Sequence, residues 1–286
     1  MGRFWVENLL PPWNCRKMSI PKIIHQTFSA QRDMPDFLAA NIAQLRQMNP
    51  GWEHRLYEDE DCARFIRENY DADIYAWYNA IHPDYGAARA DFFRYLLLYR
   101  EGGVYLDIKS GCAVPLDDIV QEDDEFLLSH WQDPRDGRHP AFGVAAELQQ
   151  WHIIARPEHP FLAAVIARVV ENLRSYDPLR DGVGKHAVLQ VTGPIAYTLA
   201  IEPLLAQHPC RFFVAQAAGV TYSIAPIRHD RIFRKHYSKV TRPLIGFRHI
   251  RKNYLSMRIF PLLLICANGR FYKFLRKTDQ DLRRRF

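Results

Sequence analysis

The chain has 286 residues, of which 38 are Lys or Arg and 32 are Asp or Glu, so its formal net charge is +6. Hydrophobic residues make up 48% and charged residues 24%, and these fractions exclude a disordered tail, a collagen-like chain and an integral membrane bundle. The length allows one large α/β domain or two smaller ones, either with a sizeable core.

The charge is unevenly distributed along the chain. Residues 228–286 contain 17 Lys or Arg against 3 Asp or Glu, a local charge of +14, whereas residues 1–227 carry −8. This division predicts an acidic body, residues 1–227, and a basic, aromatic C-terminal extension, residues 228–286, that completes the domain and contacts an anionic surface. We rank a membrane above nucleic acid as that surface, because no nucleic-acid-binding motif accompanies the basic run at residues 283–285.

Cysteine usage and the first residues bear on the compartment. No CxxC pair occurs, which argues against a disulfide framework or a zinc cluster and favours a reduced cytoplasm. Residues 1–18 contain no long apolar stretch, so we expect neither a signal peptide nor an anchor helix there. The apolar run at residues 259–267 is too short to span a bilayer, and it fits a buried element and an interfacial segment equally well. The five cysteines are Cys15, Cys62, Cys112, Cys210 and Cys266.

The first hundred residues show alternating strand and helix patterns. Residues 20–28 predict a short buried strand with Ile23 and Ile24 at its centre and a polar exit at residues 25–27. Apolar spacing predicts a helix over 35–48, ended by Asn-Pro-Gly. A second strand at 52–57 and a helix at about 60–69 follow.

The most informative stretch is residues 84–112. It begins as a helix, and Gly102-Gly103 is a natural helix stop. Residues 104–106 then form a short strand that delivers Asp107 at its carboxyl end, where open α/β sheets bind ligands. On the helix, Asp91 and Arg94 share one narrow face, so we expect this ion pair at the edge of the core near Asp107.

The rest of the chain supports a single α/β domain. A strand is expected at 126–129, a polar loop at 133–139 and a helix at 161–173, and residues 190–194 are expected to open another helix. No internal repeat or Gly/Ser-rich linker divides the sequence. The prediction is one α/β domain with the basic C-terminal extension packed on it.

Five segments resemble, in the same order, conserved blocks of the DXD-containing sugar transferases of glycosyltransferase family 32. They are residues 20–28, 88–94, 102–107, 155–161 and 192–194, and the resemblance covers roughly residues 20–200. It implies a GT-A-like nucleotide-sugar-binding fold, with a mixed sheet flanked by helices. It also implies a nucleotide-sugar donor and transfer with retention of anomeric configuration.

The resemblance assigns roles to individual positions. Asp91 and Arg94 match the pair that hydrogen-bonds donor-sugar hydroxyls, through charge-assisted bonds that fix a sugar well. Asp107 matches the first Asp of the DXD motif, which contacts ribose, sugar and metal, and is a catalytic candidate. The segment that corresponds to the nucleotide-binding strand consists of His25, Gln26 and Thr27.

The sequence departs from the family at Lys109, which stands where the second Asp of DXD is usually the direct metal ligand. A metal ion, Mn²⁺ or Mg²⁺, could be held by Asp107 and a C-terminal side chain such as His249 or His229. Alternatively, the Lys109 ammonium itself neutralises the departing diphosphate, which makes Lys109 a catalytic candidate. A third alternative is that Lys109 points away and forms a surface ion pair. We expect metal dependence, because the rest of the motif is intact.

Together these features predict a retaining glycosyltransferase that moves a hexose or acetamido-hexose from a UDP- or GDP-linked donor. The expected acceptor is a glycan or lipid-linked oligosaccharide in capsule or lipopolysaccharide synthesis. The enzyme is expected to be cytoplasmic and peripheral on the inner face of the cell membrane. The alternative is a non-catalytic protein that binds membrane surfaces or polyanions and whose DXD motif has degenerated at Lys109.

Overall fold

The computed structural model describes residues 19–29, 33–131, 146–225 and 239–246. Within these residues a six-stranded mixed sheet has the order β2-β1-β3-β6-β5-β7, and a separate two-stranded sheet pairs β4 with β8. The strands are β1 (Ile23–Thr27), β2 (Glu53–Tyr57), β3 (Gly103–Leu106), β4 (Gly111–Cys112), β5 (Phe126–Leu128), β6 (His152–Ala155), β7 (Arg211–Phe212) and β8 (Val220–Thr221).

Helices cover the sheet and are delimited by local signals in the sequence. The second helix begins with a capping box between Glu58 and Asp61, and the fifth has proline at its first position. The helices are α1 (Asp36–Met48), α2 (Asp59–Asn69), α3 (Ala72–Ala80), α4 (Gly86–Glu101), α5 (Pro160–Arg174), α6 (Lys185–Val191) and α7 (Pro194–Ile201).

The sheet topology brings several chain segments to one edge. Strands β1, β2 and β3 are parallel, and β6 is antiparallel to β3. In this register Leu106, the last residue of β3, lies opposite His152, the first residue of β6. The residues that precede β6 are therefore held beside the residues that follow β3, at the edge where sequence reasoning places a ligand.

The sheet is buried on both faces. Tyr105 of β3 belongs to the larger apolar cluster, which includes most of α4 and α5, whereas Val104 and Leu106 belong to a second cluster on the opposite face. This alternation is what a strand with two covered faces requires. Helix α4 is central: ten of its sixteen residues are buried, including the charged pair Asp91 and Arg94.

Most of the predicted elements are confirmed, with shifts of a few residues at their ends. One prediction is wrong: His25 and Gln26 are not a polar exit from the first strand but lie inside β1 and are fully buried. The helix expected to open at residues 190–194 is divided, because α6 ends at Val191 and α7 begins at Pro194. The sequence does not predict helix α3 or strands β4, β6, β7 and β8. The polar loop expected at 133–139 lies outside the described residues.

The described residues include three of the five cysteines and only a short part of the C-terminal extension. Cys62, Cys112 and Cys210 are free thiols. In the described ranges, no helix has the length and apolar character needed to cross a bilayer. Of the predicted extension at residues 228–286, only 239–246 are described; the apolar run at 259–267 and the basic run at 283–285 lie outside the described residues.

Candidate functional site

A double-glycine turn joins α4 to β3 and sets the geometry of the site. Gly102 and Gly103 have φ angles of 65° and 99°, a region that glycine adopts without strain. A Cβ atom at Gly103 would lie 2.6 Å from the carbonyl oxygen of Ile23. The turn therefore needs glycine both for its conformation and for the close approach of β1. It places the face of α4 that carries Asp91 and Arg94 against the carboxyl end of β3.

Arg94 is the centre of a buried polar network. Its Nη2 atom lies 3.2 Å from Oδ1 of Asp91 and 3.0 Å from Oδ1 of Asp107, and its side chain is only 4% exposed. Nη1 donates a hydrogen bond of 2.7 Å to the carbonyl oxygen of Gln150. The guanidinium also lies 4.5 Å from the ring centroid of Tyr105, a cation–π contact. This network confirms that the helical ion pair lies beside Asp107.

Asp91 is held on all sides by the protein. Its Oδ1 accepts a hydrogen bond from Nε2 of Gln150 (3.1 Å), and its Oδ2 accepts one from Oγ1 of Thr192 (3.1 Å). Burial raises the pKa of the Asp91 carboxyl, and the neighbouring Arg94 guanidinium counteracts that rise. The carboxylate is thus oriented by three partners, which is the arrangement that a buried charge needs.

Asp107 is the member of the network that faces solvent. Its side chain is 24% exposed, whereas Asp91 and Arg94 are each 4% exposed. Its backbone N–H donates to the carbonyl oxygen of Trp151 (2.8 Å), and its own carbonyl oxygen accepts from the Ser110 N–H (2.7 Å) in a tight turn. A fixed backbone and a guanidinium on one carboxylate oxygen leave an oriented carboxylate that a ligand can reach.

Lys109 is buried under a tyrosine. Lys109 is only 9% exposed. Its Nζ atom donates a hydrogen bond of 3.0 Å to the Tyr222 hydroxyl and lies 4.1 Å from the centroid of the Tyr222 ring. Burial lowers the pKa of the Lys109 ammonium, and the nearby Asp107 carboxylate opposes that shift. This burial under Tyr222 contradicts the alternative in which Lys109 points away to the protein surface.

The predicted nucleotide segment makes contacts inside the protein. His25 is fully buried; its Nε2 donates to the Gly102 carbonyl oxygen and its Nδ1 accepts from the Tyr57 hydroxyl, both at 3.0 Å. Burial lowers the pKa of His25 to about 3, so the ring is neutral at pH 7. Nε2 of Gln26 donates to the Asp107 carbonyl oxygen (3.3 Å). These side chains stabilise the sheet edge, and their contact with a nucleotide stays a prediction.

Thr27 ends the strand and is partly exposed. Its Oγ1 lies 2.9 Å from the hydroxyl of Tyr105, the residue whose ring supports the Arg94 guanidinium. Of the three positions in the predicted nucleotide segment, Thr27 alone is not fully buried. A direct contact between this segment and a ligand would therefore involve Thr27 or the backbone.

The residues present do not fit a divalent cation. A hard cation such as Mg²⁺ prefers several oxygen ligands, usually carboxylates. Here Asp107 already shares one oxygen with Arg94, and the next DXD position carries the Lys109 ammonium. Across the described ranges, no group of three His, Cys, Asp or Glu side chains is arranged to hold a metal ion. His249 and His229, the other predicted ligands, lie outside the described residues.

Three residues of the site were not identified as site residues from the sequence. Gln150 and Thr192 orient Asp91, and Tyr222 covers Lys109. The block at residues 192–194 was noted in the resemblance, but nothing in it indicates a contact with Asp91. Gln150 and Tyr222 carry no sequence signal at all, because their roles depend on the strand pairing.

Residues 35–126 match the family described as glycosyltransferase sugar-binding region containing DXD motif. The inositol phosphoceramide mannosyltransferase 1 of Schizosaccharomyces pombe is 29% identical over 152 residues, which is 51% of this chain and 42% of that protein. The mannosyl phosphorylinositol ceramide synthase SUR1 of Saccharomyces cerevisiae is 33% identical over 114 residues, 40% of this chain and 29% of that protein.

The fold also has a solved counterpart. The structure titled PaToxG Glycosyltransferase superposes with a TM-score of 0.50 at 16% identity, covering 72% of this chain and 75% of that one. Together with the mixed sheet flanked by helices, this likeness shows a GT-A fold. The chain spans less than half the length of each of the two yeast relatives above.

Proposed function

We propose that the protein is a retaining glycosyltransferase, because residues 35–126 match the sugar-binding region of the DXD glycosyltransferases. It moves a hexose or acetamido-hexose from a UDP- or GDP-linked donor to a glycan acceptor. The observation that carries the proposal is the carboxylate of Asp107, held by Arg94 at the carboxyl end of β3 and open to a ligand on its other side.

The network of Asp91, Arg94 and Asp107 suits recognition of a sugar. Hydroxyl groups of a hexose donate hydrogen bonds, so the partly exposed Asp107 carboxylate, held in place by the Arg94 guanidinium, binds them with direction and strength. Because Asp91 is fixed by Gln150 and Thr192, the network needs little reorganisation when a donor arrives. In this proposal Asp107 contacts the donor sugar, Arg94 holds Asp107 in place, and Asp91 in turn holds Arg94.

Transfer requires the enzyme to stabilise a developing positive charge and a developing negative charge. As the bond between the sugar and the diphosphate breaks, positive charge develops on the sugar ring and negative charge on the leaving group. The partly exposed Asp107 carboxylate stabilises the first, and a cation must stabilise the second. In a retaining reaction without a protein nucleophile, the acceptor hydroxyl attacks the face from which the diphosphate leaves, and a diphosphate oxygen accepts its proton.

The acceptor in this proposal is a lipid-linked glycan. The two yeast relatives are named as a mannosyltransferase of inositol phosphoceramide and a synthase of mannosyl phosphorylinositol ceramide, names that support a lipid-bearing acceptor. The sequence adds the +14 charge of residues 228–286, which would hold the acidic body at an anionic membrane. We place the protein at the inner face of the cell membrane, in synthesis of a surface polysaccharide such as capsule or lipopolysaccharide.

The test is a panel of nucleotide-sugars incubated with the full chain, with release of free nucleotide measured in the presence and absence of acceptor glycans. Hydrolysis of at least one UDP- or GDP-hexose is expected, and proton NMR of the product should show the anomeric configuration of the donor. If no donor is hydrolysed or bound while anionic vesicles are bound tightly, the non-catalytic alternative is correct. An inverted product would contradict the retaining chemistry.

A further inference from the structure

We propose that the Lys109 ammonium takes the place of the divalent cation at the donor diphosphate, so that this protein binds its donor without a metal ion. The inference rests on the proposed function and concerns the same site. The family resemblance implies a retained metal. The burial of the Lys109 ammonium under Tyr222, two residues after Asp107, favours instead the alternative in which this ammonium neutralises the departing diphosphate.

The formal charges of the site support this substitution. The four charged side chains Asp91, Arg94, Asp107 and Lys109 comprise two carboxylates and two cations, so they cancel. An aspartate at position 109 would give three carboxylates and one guanidinium, a charge of −2, which one divalent cation would cancel. Lysine in place of aspartate changes the site by two positive charges, the same amount as Mn²⁺ or Mg²⁺. The donor diphosphate would thus meet the same net charge in either arrangement.

The loop that carries Lys109 is fixed in place. Nδ2 of Asn41 donates to the Ser110 carbonyl oxygen, and Oγ of Ser110 donates to the Tyr222 carbonyl oxygen, both at 2.9 Å. The Ile224 N–H donates to the carbonyl oxygen of Lys109 itself, also at 2.9 Å. The backbone around Lys109 is therefore bonded to α1 and to the segment after β8. A loop backbone held in this way needs little ordering when the ligand binds.

Tyr222 positions the ammonium. Its hydroxyl accepts a hydrogen bond from Nζ, and its ring face lies against the same group, so both the polar and the π surfaces of the tyrosine attract the cation. Trp151 packs edge-on against Tyr222, with ring centroids 5.4 Å apart. The backbone carbonyl oxygen of Trp151 accepts the Asp107 backbone N–H, so Trp151 supports the lysine through its ring contact with Tyr222 and fixes the backbone of Asp107 through its carbonyl group.

Phosphate chemistry suits a buried ammonium. Lysine binds phosphate as a compact point charge with three donors, and its attraction increases where water is excluded. In the transfer step, the bond between sugar C1 and the diphosphate oxygen breaks, and its electron pair stays on that oxygen beside the Lys109 ammonium. The acceptor oxygen forms the new bond to C1, and its proton passes to a diphosphate oxygen. No oxidant, reductant or metal enters this balance.

The experiment is calorimetric titration of UDP and GDP into the full-length protein, in buffer with excess EDTA and in buffer with excess Mn²⁺. We expect at least one nucleotide to bind with affinities that agree within about twofold between the two buffers. Binding that requires Mn²⁺ would overturn this inference and leave the proposed function intact. Absence of binding in both buffers would overturn the proposed function and this inference with it.

Substitutions at position 109 give a second measurement. Lys109→Asp should weaken nucleotide binding in EDTA by tenfold or more, on the order expected for loss of a buried charge contact, and Mn²⁺ should restore it. Lys109→Met, which keeps the length and apolar stem, should bind weakly in both buffers. Lys22→Asp is the matched control, because Lys22 is an exposed lysine directly before β1, at the opposite end of that strand from Thr27. Unchanged nucleotide binding by folded Lys109→Met would contradict the proposal.

Discussion

The Nη2 atom of Arg94 lies 3.0 Å from Oδ1 of Asp107 and joins the middle of helix α4 to the residue that follows strand β3. Only the Asp107 end of this ion pair reaches solvent. The arrangement gives Arg94 two functions, because it fixes a ligand-facing carboxylate and at the same time neutralises the buried Asp91.

Arg94→Met is expected to destabilise the fold. It removes the cation from Asp91 and leaves an uncompensated buried carboxylate, a change that costs about 3–5 kcal/mol in the free energy of unfolding. Chemical denaturation measures it. Arg64→Met is the control, since Arg64 is more than half exposed in its ion pair with Asp61, and its loss should cost less than about 1 kcal/mol.

A double variant checks the cause of that loss. The protein that combines Asp91→Asn with Arg94→Met has no buried carboxylate that lacks its cation. Its loss in the free energy of unfolding should therefore be smaller than the sum of the losses in the two single variants. Additive losses, or an Arg94→Met protein as stable as Arg64→Met, would contradict the buried network as described.

His25 predicts a pH dependence of stability. Its pKa is about 3 in the folded protein, against an ordinary value of 6.5, because burial disfavours the charged ring. Between these values the unfolded state binds the proton and the folded state does not, so stability falls as the pH falls below 6.5. His25→Gln removes this contribution, which amounts to about 2 kcal/mol between pH 7.5 and 5.

The measurement compares denaturation of wild-type protein and His25→Gln at a series of pH values. The difference at pH 8, where the ring is neutral in both states, reports packing alone and serves as the internal reference. The two curves should converge as the pH falls. Curves that stay parallel from pH 8 to 5 would show that His25 is not held neutral by burial.

Gly103→Ala tests the turn between α4 and β3. The new methyl group would lie 2.6 Å from the Ile23 carbonyl oxygen, at a φ of 99° that alanine rarely adopts. We expect a loss of about 1–3 kcal/mol or more, together with loss of donor binding, because β3 carries Asp107. Gly86→Ala is the control: nothing lies within 4 Å of its Cβ position, and alanine favours the helix start. Equal stability of both variants would contradict the close approach of β1.

The basic C-terminal segment predicts electrostatic membrane binding. Replacement of Arg283, Arg284 and Arg285 by Gln removes three charges, each worth on the order of 1 kcal/mol near an anionic surface, so vesicle affinity should fall by about 100-fold. Co-sedimentation with vesicles of phosphatidylcholine, with and without phosphatidylglycerol, measures it. Arg64→Gln in the acidic body should have no effect. Equal binding to neutral and anionic vesicles would contradict the assignment.

The sequence alone predicts the part of the site whose residues lie close together in the chain. Asp91, Arg94 and Asp107 are separated by one helix, a double-glycine stop and a four-residue strand, so helical periodicity and strand direction determine their proximity. The error at His25 and Gln26 has a physical reason. These polar residues read as a strand end, but partners on neighbouring strands and turns satisfy their hydrogen bonds and allow burial.

The non-local part could not be predicted. Gln150, Thr192 and Tyr222 lie 59, 101 and 113 residues from their partners Asp91 and Lys109 in the chain. Gln150 reaches the site because β6 runs antiparallel to β3, and Tyr222 reaches it because β8 pairs with β4. Thr192 reaches it from the C-terminal end of α6. Neither pairing has a signal in strands of two to four residues. Lys109 was therefore identified as a departure from the DXD motif, but its burial under Tyr222 required the structure.

The most direct test of the account compares nucleotide release from a UDP- or GDP-hexose by wild-type protein, by Asp107→Asn and by Asp118→Asn. Asp107→Asn keeps the shape of the side chain but removes the charge that faces the donor, so kcat/KM should fall by about 100-fold or more. Asp118→Asn, on an exposed turn, should match the wild type. Hydrolysis by Asp107→Asn at the wild-type rate would contradict the assignment of the donor site to the Asp91, Arg94 and Asp107 network.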